Sequence, residues 1–221
     1  MQSSGFYPLL VASVLQFAHR RLRSPRIAVL DGLRVQLCPH VFNPTVSRTT
    51  RFFMQHMQIP TGSRVLELGT GTGAIAAAAA RHSTEVWATD ISPHAIRCAR
   101  ATMRLNKVET RVEVLLGDLF TPVTGRRFDV ILFSLPYLAR RATSLEAMSW
   151  CAGPKCELID RFLAEARGYL TAGGSIQILF SSAAPVAQLV TMIRQHGYRI
   201  GLMSSGRILG FLERVYLLKL S

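Results

Sequence analysis

The segment Val65-Leu66-Glu67-Leu68-Gly69-Thr70-Gly71-Thr72-Gly73-Ala74-Ile75 has the composition of a ligand cradle. An apolar strand breaks into alternating glycines and then opens a helix. Residues without a Cβ let the backbone turn tightly and let a ligand approach it. Gly69, Gly71 and Ala74 also satisfy the dinucleotide pattern G-x-G-x-x-G/A, so the turn by itself leaves a nicotinamide cofactor open. Asp90, about 20 residues further on, stands where a carboxylate accepts hydrogen bonds from ribose hydroxyls, and it fits either ligand. Glu67 separates the two, because a carboxylate just before the first glycine repels a pyrophosphate and attracts a cation. Gly117-Asp118-Leu119 supplies a further acid, suited to the amino group of an adenine. Ser134-Leu135-Pro136-Tyr137 follows where a catalytic loop would emerge. Acids at the edges of three successive strands suit a sulfonium nucleoside.

These groups converge only if strands and helices alternate so that the strand ends share one edge. The pattern has that alternation. Strands are predicted over Arg64–Leu68, 85–89, Val112–Leu116, 128–133 and 175–180, each a short run rich in β-branched or aromatic residues. Helices fall near 73–81, 93–105, 155–170 and 185–195. Ser92-Pro93 reads as an N-cap followed by a first-turn proline, and Gly173 and Gly197 read as residues just past helix ends. The alanine run from Ala76 to Ala80 lets its helix press close to the sheet. Upstream, Ile27 and Val29, then Leu33, Val35 and Leu37, alternate about Asp31-Gly32 as in a tight hairpin, and an apolar helix spans 52–57. The segments 199–209 and 215–220 read as two strands close in sequence, hence an antiparallel edge.

The expected fold is α/β. It is a doubly wound, seven-stranded Rossmann-like sheet, mostly parallel with an antiparallel edge strand, preceded by a short N-terminal helix and a β-hairpin. Residues 1–45 are expected to form that helix-and-hairpin cap, and residues 46–221 the ligand-binding domain.

Length and composition agree with a single core. At 221 residues and 49% hydrophobic, the chain can bury a full interior, which excludes a disordered tail, and no fixed repeat recurs. Basic side chains outnumber acidic ones 26 to 13, giving a formal charge of +13, and only Lys107, Lys155 and Lys219 are lysines. The excess is compatible with an anionic substrate, a nucleic acid or an acidic protein surface. Cys38, Cys98, Cys151 and Cys156 lack the spacing of a disulfide framework or a zinc site, so no metal is expected. Residues 6–18 are nearly all apolar but shorter than the roughly 20 residues of a spanning helix. Arg20, Arg21 and Arg23 follow that run, the reverse of a secretory signal. This segment is expected to cap the domain or to pair two copies as a homodimer, with no membrane span and the cytoplasm as default location.

Glu67-x-Gly69-x-Gly71-x-Gly73, Asp90, Asp118 and Pro136-Tyr137, in that order, resemble the motifs of class I S-adenosylmethionine-dependent methyltransferases over about residues 41–180. Within that class the chain is most similar to the branch that methylates planar nitrogens, including release-factor glutamine and nucleobase-N methyltransferases. The lead-in Val41-Phe42-Asn43-Pro44-Thr45, and Ala152-Gly153-Pro154 followed by residues 158–163, also resemble that branch. The resemblance implies S-adenosylmethionine as cofactor and S-adenosylhomocysteine as product. It implies cofactor contacts at Glu67, Gly69, Thr70, Gly71, Gly73, Asp90, Ile91, Asp118, Leu119 and Ser134. It also implies Ser134, Leu135, Pro136 and Tyr137 as the catalytic group.

One motif departs from the branch, which carries Asn/Asp-Pro-Pro-Tyr where this chain has Ser134-Leu135-Pro136-Tyr137. In the branch the first side chain and the next backbone carbonyl accept hydrogen bonds from the target amino group, and the aromatic ring stacks on it. Ser134 can still accept one bond from a shorter arm, and the Leu135 carbonyl is unaffected by its side chain. Tyr137 is expected to pack against the acceptor, with Arg140 and Arg141 just beyond it as candidate substrate contacts. The short N-terminal region favours a small-molecule acceptor, whereas the charge favours a nucleic acid or acidic protein. Two other readings stay open: a nicotinamide-dependent oxidoreductase on the same turn, and a non-catalytic partner subunit that retains the cofactor fold.

Overall fold

Alternating apolar residues at 33, 35 and 37 need a partner surface, and the computed structural model of the protein shows what covers them. It describes residues 24–208 and 213–221, together with Ser13 and Leu22. The helix expected over 6–18, and with it the homodimer proposed through that helix, falls outside the described residues apart from Ser13. Strands β1 (Arg26–Leu30) and β2 (Leu33–Leu37) form an antiparallel hairpin in which Leu30 pairs with Leu33. Asp31 and Gly32 both have positive φ, 46° and 76°, as a two-residue hairpin turn matching the strand twist requires. Leu33, Val35 and Leu37 point inward and join the main apolar core.

The other elements follow in order: α1 (Thr49–His56), β3 (Arg64–Leu68), α2 (Ala74–Ala79), β4 (Glu85–Asp90), α3 (Pro93–Asn106), β5 (Val112–Leu116) and β6 (Phe128–Ser134). Then come α4 (Glu157–Ala166), β7 (Leu170–Ser181), α5 (Val186–Gln195), β8 (Ile200–Ile208) and β9 (Glu213–Leu220). Seven strands make one sheet in the order β5-β4-β3-β6-β7-β9-β8. All neighbouring pairs from β5 to β7 are parallel, and β9 runs antiparallel to both β7 and β8, giving the expected antiparallel edge.

Strand periodicity divides the core in two. Val65, Val130 and Leu132 face α2, α3 and the hairpin, while Leu66, Ile131 and Phe133 face α4 and α5. Every residue of α2 is buried, as suits a helix that is apolar all round and, apart from Ile75, made of alanine, wedged between the sheet and its neighbours. Ser92 caps α3 by accepting from the Ala95 N–H at 3.4 Å, with Pro93 in the first turn.

Two expected boundaries moved. The helix read over 155–170 stops at Ala166, and a 3-10 turn over Arg167–Tyr169 leads directly into β7. Gly173 therefore lies inside β7 rather than past a helix end. Its φ of 78° bends the strand where the β6–β7 register shifts between Phe128 and Val130, so the glycine makes an irregularity and not a stop.

Gly73, read from sequence as a cofactor contact, opens α2 with φ 80°. A Cβ there would lie 2.6 Å from Met103 Cε and 3.0 Å from Ala99 Cα on α3, so this glycine sets how closely α2 and α3 approach. Gly73→Ala is expected to lower unfolding free energy by about 2–4 kcal/mol through backbone strain plus overpacking. Urea denaturation checks this, and an unchanged midpoint would remove the packing role.

Candidate active site

The sheet order places a crevice where the chain changes direction. From β3 it winds outward through β4 to β5, then returns to β6 on the other side of β3. Ligands of open α/β sheets bind at the carboxyl ends of the strands at such a switch point. The loops after β3, β4, β5 and β6 meet there around one cleft. Glu67, Gly69, Thr70, Gly71, Asp90, Ile91, Asp118, Leu119, Ser134, Leu135, Pro136 and Tyr137 all line it. Of the cofactor and catalytic residues read from sequence, Gly73 alone is not among the lining.

The cofactor end is a network of backbone donors and buried acids. Gly69 and Gly71 have φ of 64° and 54°, and a Cβ on Gly71 would meet nothing nearer than Val41 Cγ1 at 4.0 Å, so that glycine presents open backbone. Glu67 is 2% exposed. Its Oε2 accepts from Thr70 Oγ1 at 2.6 Å and from the Ala76 N–H at 2.9 Å, tying the glycine turn to the first turn of α2. Burial pushes its carboxyl up to about 8; the bonds from Thr70 and Ala76 oppose the rise, and nearby Asp90 adds to it.

Asp90 ends β4, where its Oδ2 accepts from the Gly71 N–H at 2.8 Å and its Oδ1 from the Ser92 N–H at 2.9 Å. Desolvation also raises its pKa, against those backbone bonds. Each carboxylate oxygen retains a further lone pair for a ligand hydroxyl. Asp118 holds Arg161 Nη2 at 2.6 Å through Oδ2, which leaves Oδ1 for a second donor. Leu119 beside it has φ 45°, a left-handed conformation that a branched residue seldom adopts and that concentrates at ligand sites.

The opposite end of the cleft is apolar. The Leu135 N–H donates to the Leu179 carbonyl at 2.9 Å, which carries the β6–β7 ladder one residue past the strand and fixes the start of the loop. Leu138 bridges to Cys151, with Leu138 N–H on the Trp150 carbonyl at 2.8 Å and Ala152 N–H on the Leu138 carbonyl at 2.9 Å. That bridge brings Trp150 beside Tyr137, and both pack with Phe42 in one apolar cluster. Phe42, Tyr137, Met148 and Trp150 wall this end, and Glu67, Asp90 and Asp118 are the only Lys, Arg, Asp or Glu among the described residues lining the cleft. Arg140 and Arg141 are exposed outside it.

Sequence reading missed Thr49, Thr50, Met148 and Trp150, which reach the cleft from α1 and from the loop before α4. It also missed Glu213, a buried acid at the start of β9 whose Oε1 lies 3.4 Å from the Tyr137 hydroxyl. None carries a motif, because each is brought in by topology. An isolated acid heading a final strand is the only clue Glu213 offers.

Acceptors at three strand ends, an open glycine backbone and no lysine or arginine among the described lining residues fit a positively charged nucleoside. A reversed strand in a parallel sheet, the glycine turn after β3 and acids at the next two strand ends define an S-adenosylmethionine-dependent methyltransferase. The chain belongs to the methyltransferase small domain family, whose model matches residues 33–198.

Among curated proteins it is 31% identical over 180 residues to a candidate protein N5-glutamine methyltransferase of Methanocaldococcus jannaschii, covering 79% of this chain and 89% of that one. It is 30% identical to the ribosomal RNA small subunit methyltransferase C of Enterobacter sp. (strain 638), covering 80% of this chain but 48% of that one. The chain therefore spans about half the length of that rRNA enzyme. A solved 16S rRNA guanine-N2 methyltransferase of T. thermophilus, in complex with AdoMet and guanosine, has the same fold with a TM-score of 0.67 at 18% identity, covering 89% of this chain and 50% of that chain. These matches leave the nicotinamide-dependent oxidoreductase reading without support. Among the described residues no helix is long and apolar enough to cross a membrane.

Glu67 gives a signed pH dependence. Its folded pKa lies above its unfolded one, so its contribution to stability is complete below the ordinary carboxylate value and is lost as pH rises through about 8. Glu67→Gln keeps a carbonyl oxygen for both donors and cannot ionise. Relative to wild type, its unfolding free energy in urea denaturation is expected to gain steadily from about pH 5 to about pH 8.5, by the order of a few kcal/mol at the upper end. Parallel pH profiles for the two proteins would overturn the assignment.

Proposed function

We propose that the protein transfers the methyl group of S-adenosylmethionine to the nitrogen of an uncharged, planar, conjugated amino group, with a protein carboxamide as the favoured acceptor. The observation that carries this reading is the neutral, aromatic-walled end of the cleft, where Phe42, Tyr137 and Trp150 stand next to Ser134 and Leu135. Among the described residues lining that end, a carboxylate or phosphate would find no lysine or arginine, and an ammonium no carboxylate. A flat amide or amino-substituted ring would be desolvated between aromatic faces. The relative of matching length bears the name of an N5-glutamine methyltransferase, which supports a macromolecular carboxamide over the free small molecule that the chain's size suggested.

When bound, S-adenosylmethionine supplies a methyl group already activated on sulfur. Gly69 and Gly71 would leave room for it, Asp90 would accept from the ribose hydroxyls, and Asp118 from the adenine amino group through the oxygen that Arg161 does not hold. Ser134 Oγ and the Leu135 carbonyl would accept from the target N–H groups and aim the nitrogen lone pair, and the proton that the nitrogen loses on methylation would leave past Ser134 Oγ to solvent. Tyr137 and Trp150 would hold the plane and exclude water. Alignment and desolvation then contribute most of what the protein adds to such a displacement. Glu67 takes no part in the reaction and holds the turn.

Calorimetric titration is expected to give micromolar binding of S-adenosylmethionine and S-adenosylhomocysteine, none of NADH, and at least about a tenfold loss in Asp90→Ala. Incubation with methyl-labelled cofactor and separate pools of ribosomal protein and rRNA, followed by enzymatic digestion, is expected to yield N5-methylglutamine. Tyr137→Ala is expected to lower that turnover about 100-fold. Label in N2-methylguanosine instead would move the acceptor to a nucleobase, as the +13 charge and the rRNA relative would favour. Cofactor binding with no transfer to either pool would favour a partner subunit.

A further inference from the structure

Glu213 is a buried carboxyl that nothing in the proposed reaction uses. It is the first residue of β9, 2% exposed, in a strand whose inward residues are otherwise apolar. Among the described residues two neutral hydroxyls meet it. The Tyr137 phenol donates to Oε1 at 3.4 Å, and the buried Ser181 at the end of β7 gives it a second hydrogen bond. Desolvation raises its pKa, and the bonds from Ser181 and Tyr137 pull the other way. A carboxyl out of water without a cation costs several kcal/mol relative to an apolar side chain of the same volume. A leucine here would serve the sheet better, so the position is explained by what the acid touches.

What it touches is the far end of Tyr137. The backbone on either side of that residue is fixed by the Leu135–Leu179 and Leu138–Trp150 bonds, which hold its near end. A bond at the hydroxyl fixes the second end. With both ends held, the ring keeps its place in the wall of the cleft that it shares with Phe42 and Trp150. β9 is the reversed strand, and its reversal is what starts residue 213 next to the carboxyl end of β7, on the same edge as the loop after β6.

We propose that Glu213 is a positioning residue for methyl transfer, acting through the Tyr137 hydroxyl to hold the ring that orients the acceptor. The proposal rests on the reading of Tyr137 as the acceptor wall. It explains why a tyrosine serves here when stacking alone would be satisfied by phenylalanine. It also predicts that the effect of Glu213 is felt at the acceptor and not at the cofactor.

The test compares wild type, Glu213→Gln, Glu213→Leu, Tyr137→Phe and the Glu213→Leu/Tyr137→Phe double variant, all as full chains. With ring-labelled tyrosine, the Cζ resonance missing from Tyr137→Phe identifies Tyr137. That signal is expected to move in Glu213→Leu and to stay near its wild-type position in Glu213→Gln, whose amide oxygen still accepts. A signal unmoved by Glu213→Leu would overturn the tether. Turnover on the ribosomal protein and rRNA pools is expected to fall about tenfold in Glu213→Leu and in Tyr137→Phe, and no further in the double variant. Glu213→Gln is expected to restore most of it, and the calorimetric affinity for S-adenosylmethionine is expected to hold throughout. Additive losses, or a parallel loss of cofactor affinity, would mark a merely structural role and overturn the proposal. If wild type methylates neither pool, the acceptor reading fails. The tyrosine resonance then decides the tether by itself, and the cofactor affinity of each variant shows that it folds.

Discussion

The polypeptide must turn from β3 into α2 within five residues while its polar groups leave water, and a single buried carboxyl makes that turn possible. Glu67 reaches forward under the glycines to take the hydroxyl of Thr70 and the N–H of Ala76 on the same oxygen. Ala76 lies in the first turn of α2, where backbone donors have no partner inside the helix. The helix is six residues of alanine and isoleucine, far too short to persist alone. It survives because it is buried on every side and tied at its start. A buried donor left without a partner costs about 1–3 kcal/mol, so the acid is worth keeping even though burial resists its ionisation. The same carboxyl therefore sets the shape of the turn that faces the ligand.

From that turn the rest of the site is arranged by shared bonds. Gly71 gives its N–H to Asp90, which also holds the backbone at Ser92, so the loops after β3 and β4 are one unit. The loop after β6 is bound instead to β7 and to the segment before α4. These are two separate networks on either side of the switch point. One is built from buried acids and backbone donors, the other from aromatic side chains and sheet hydrogen bonds. A charged, hydroxyl-rich nucleoside suits the first, and a flat neutral group suits the second. The reacting atoms must meet at the seam between them, where β3 and β6 lie side by side.

The sheet, the glycine turn and the acids were legible in sequence because each depends on local spacing. Strand periodicity fixes which residues face which layer, and a strand end is followed at once by the loop residue that it presents. Asp90 and Asp118 could be assigned to the same edge without knowing any contact. Gly73 shows the reverse, since it belongs to the motif by spacing but is required by Ala99 and Met103 of α3, a contact no local pattern announces. Gly173 was misplaced because a glycine with positive φ can end a helix or bend a strand, and only the pairing with β6 distinguishes them. Trp150 and Glu213 were invisible for a topological reason. One is brought in by a bridge between residues 138 and 151, the other by the reversal of the last strand.

The replacement of an Asn-Pro pair by Ser134-Leu135 can be weighed on the same terms. A proline at 135 would fix the loop through its ring but would lack an N–H. Leucine is free to rotate, yet it supplies the N–H that reaches the Leu179 carbonyl, and its side chain is fully buried beneath the cleft. The loop is thus held by a sheet bond and a packed side chain in place of a ring, and Pro136 keeps residue 135 extended. Its carbonyl is left to face an acceptor in either case. What changes is residue 134, where a hydroxyl replaces an amide or carboxylate and so has a shorter reach and one rotatable proton. The burden of orientation shifts accordingly from the side chain at 134 to the carbonyl at 135 and to the ring at 137. A site arranged that way gains more from a fixed tyrosine than one with a longer acceptor arm, and the cost of a buried acid behind Tyr137 then has a physical reason.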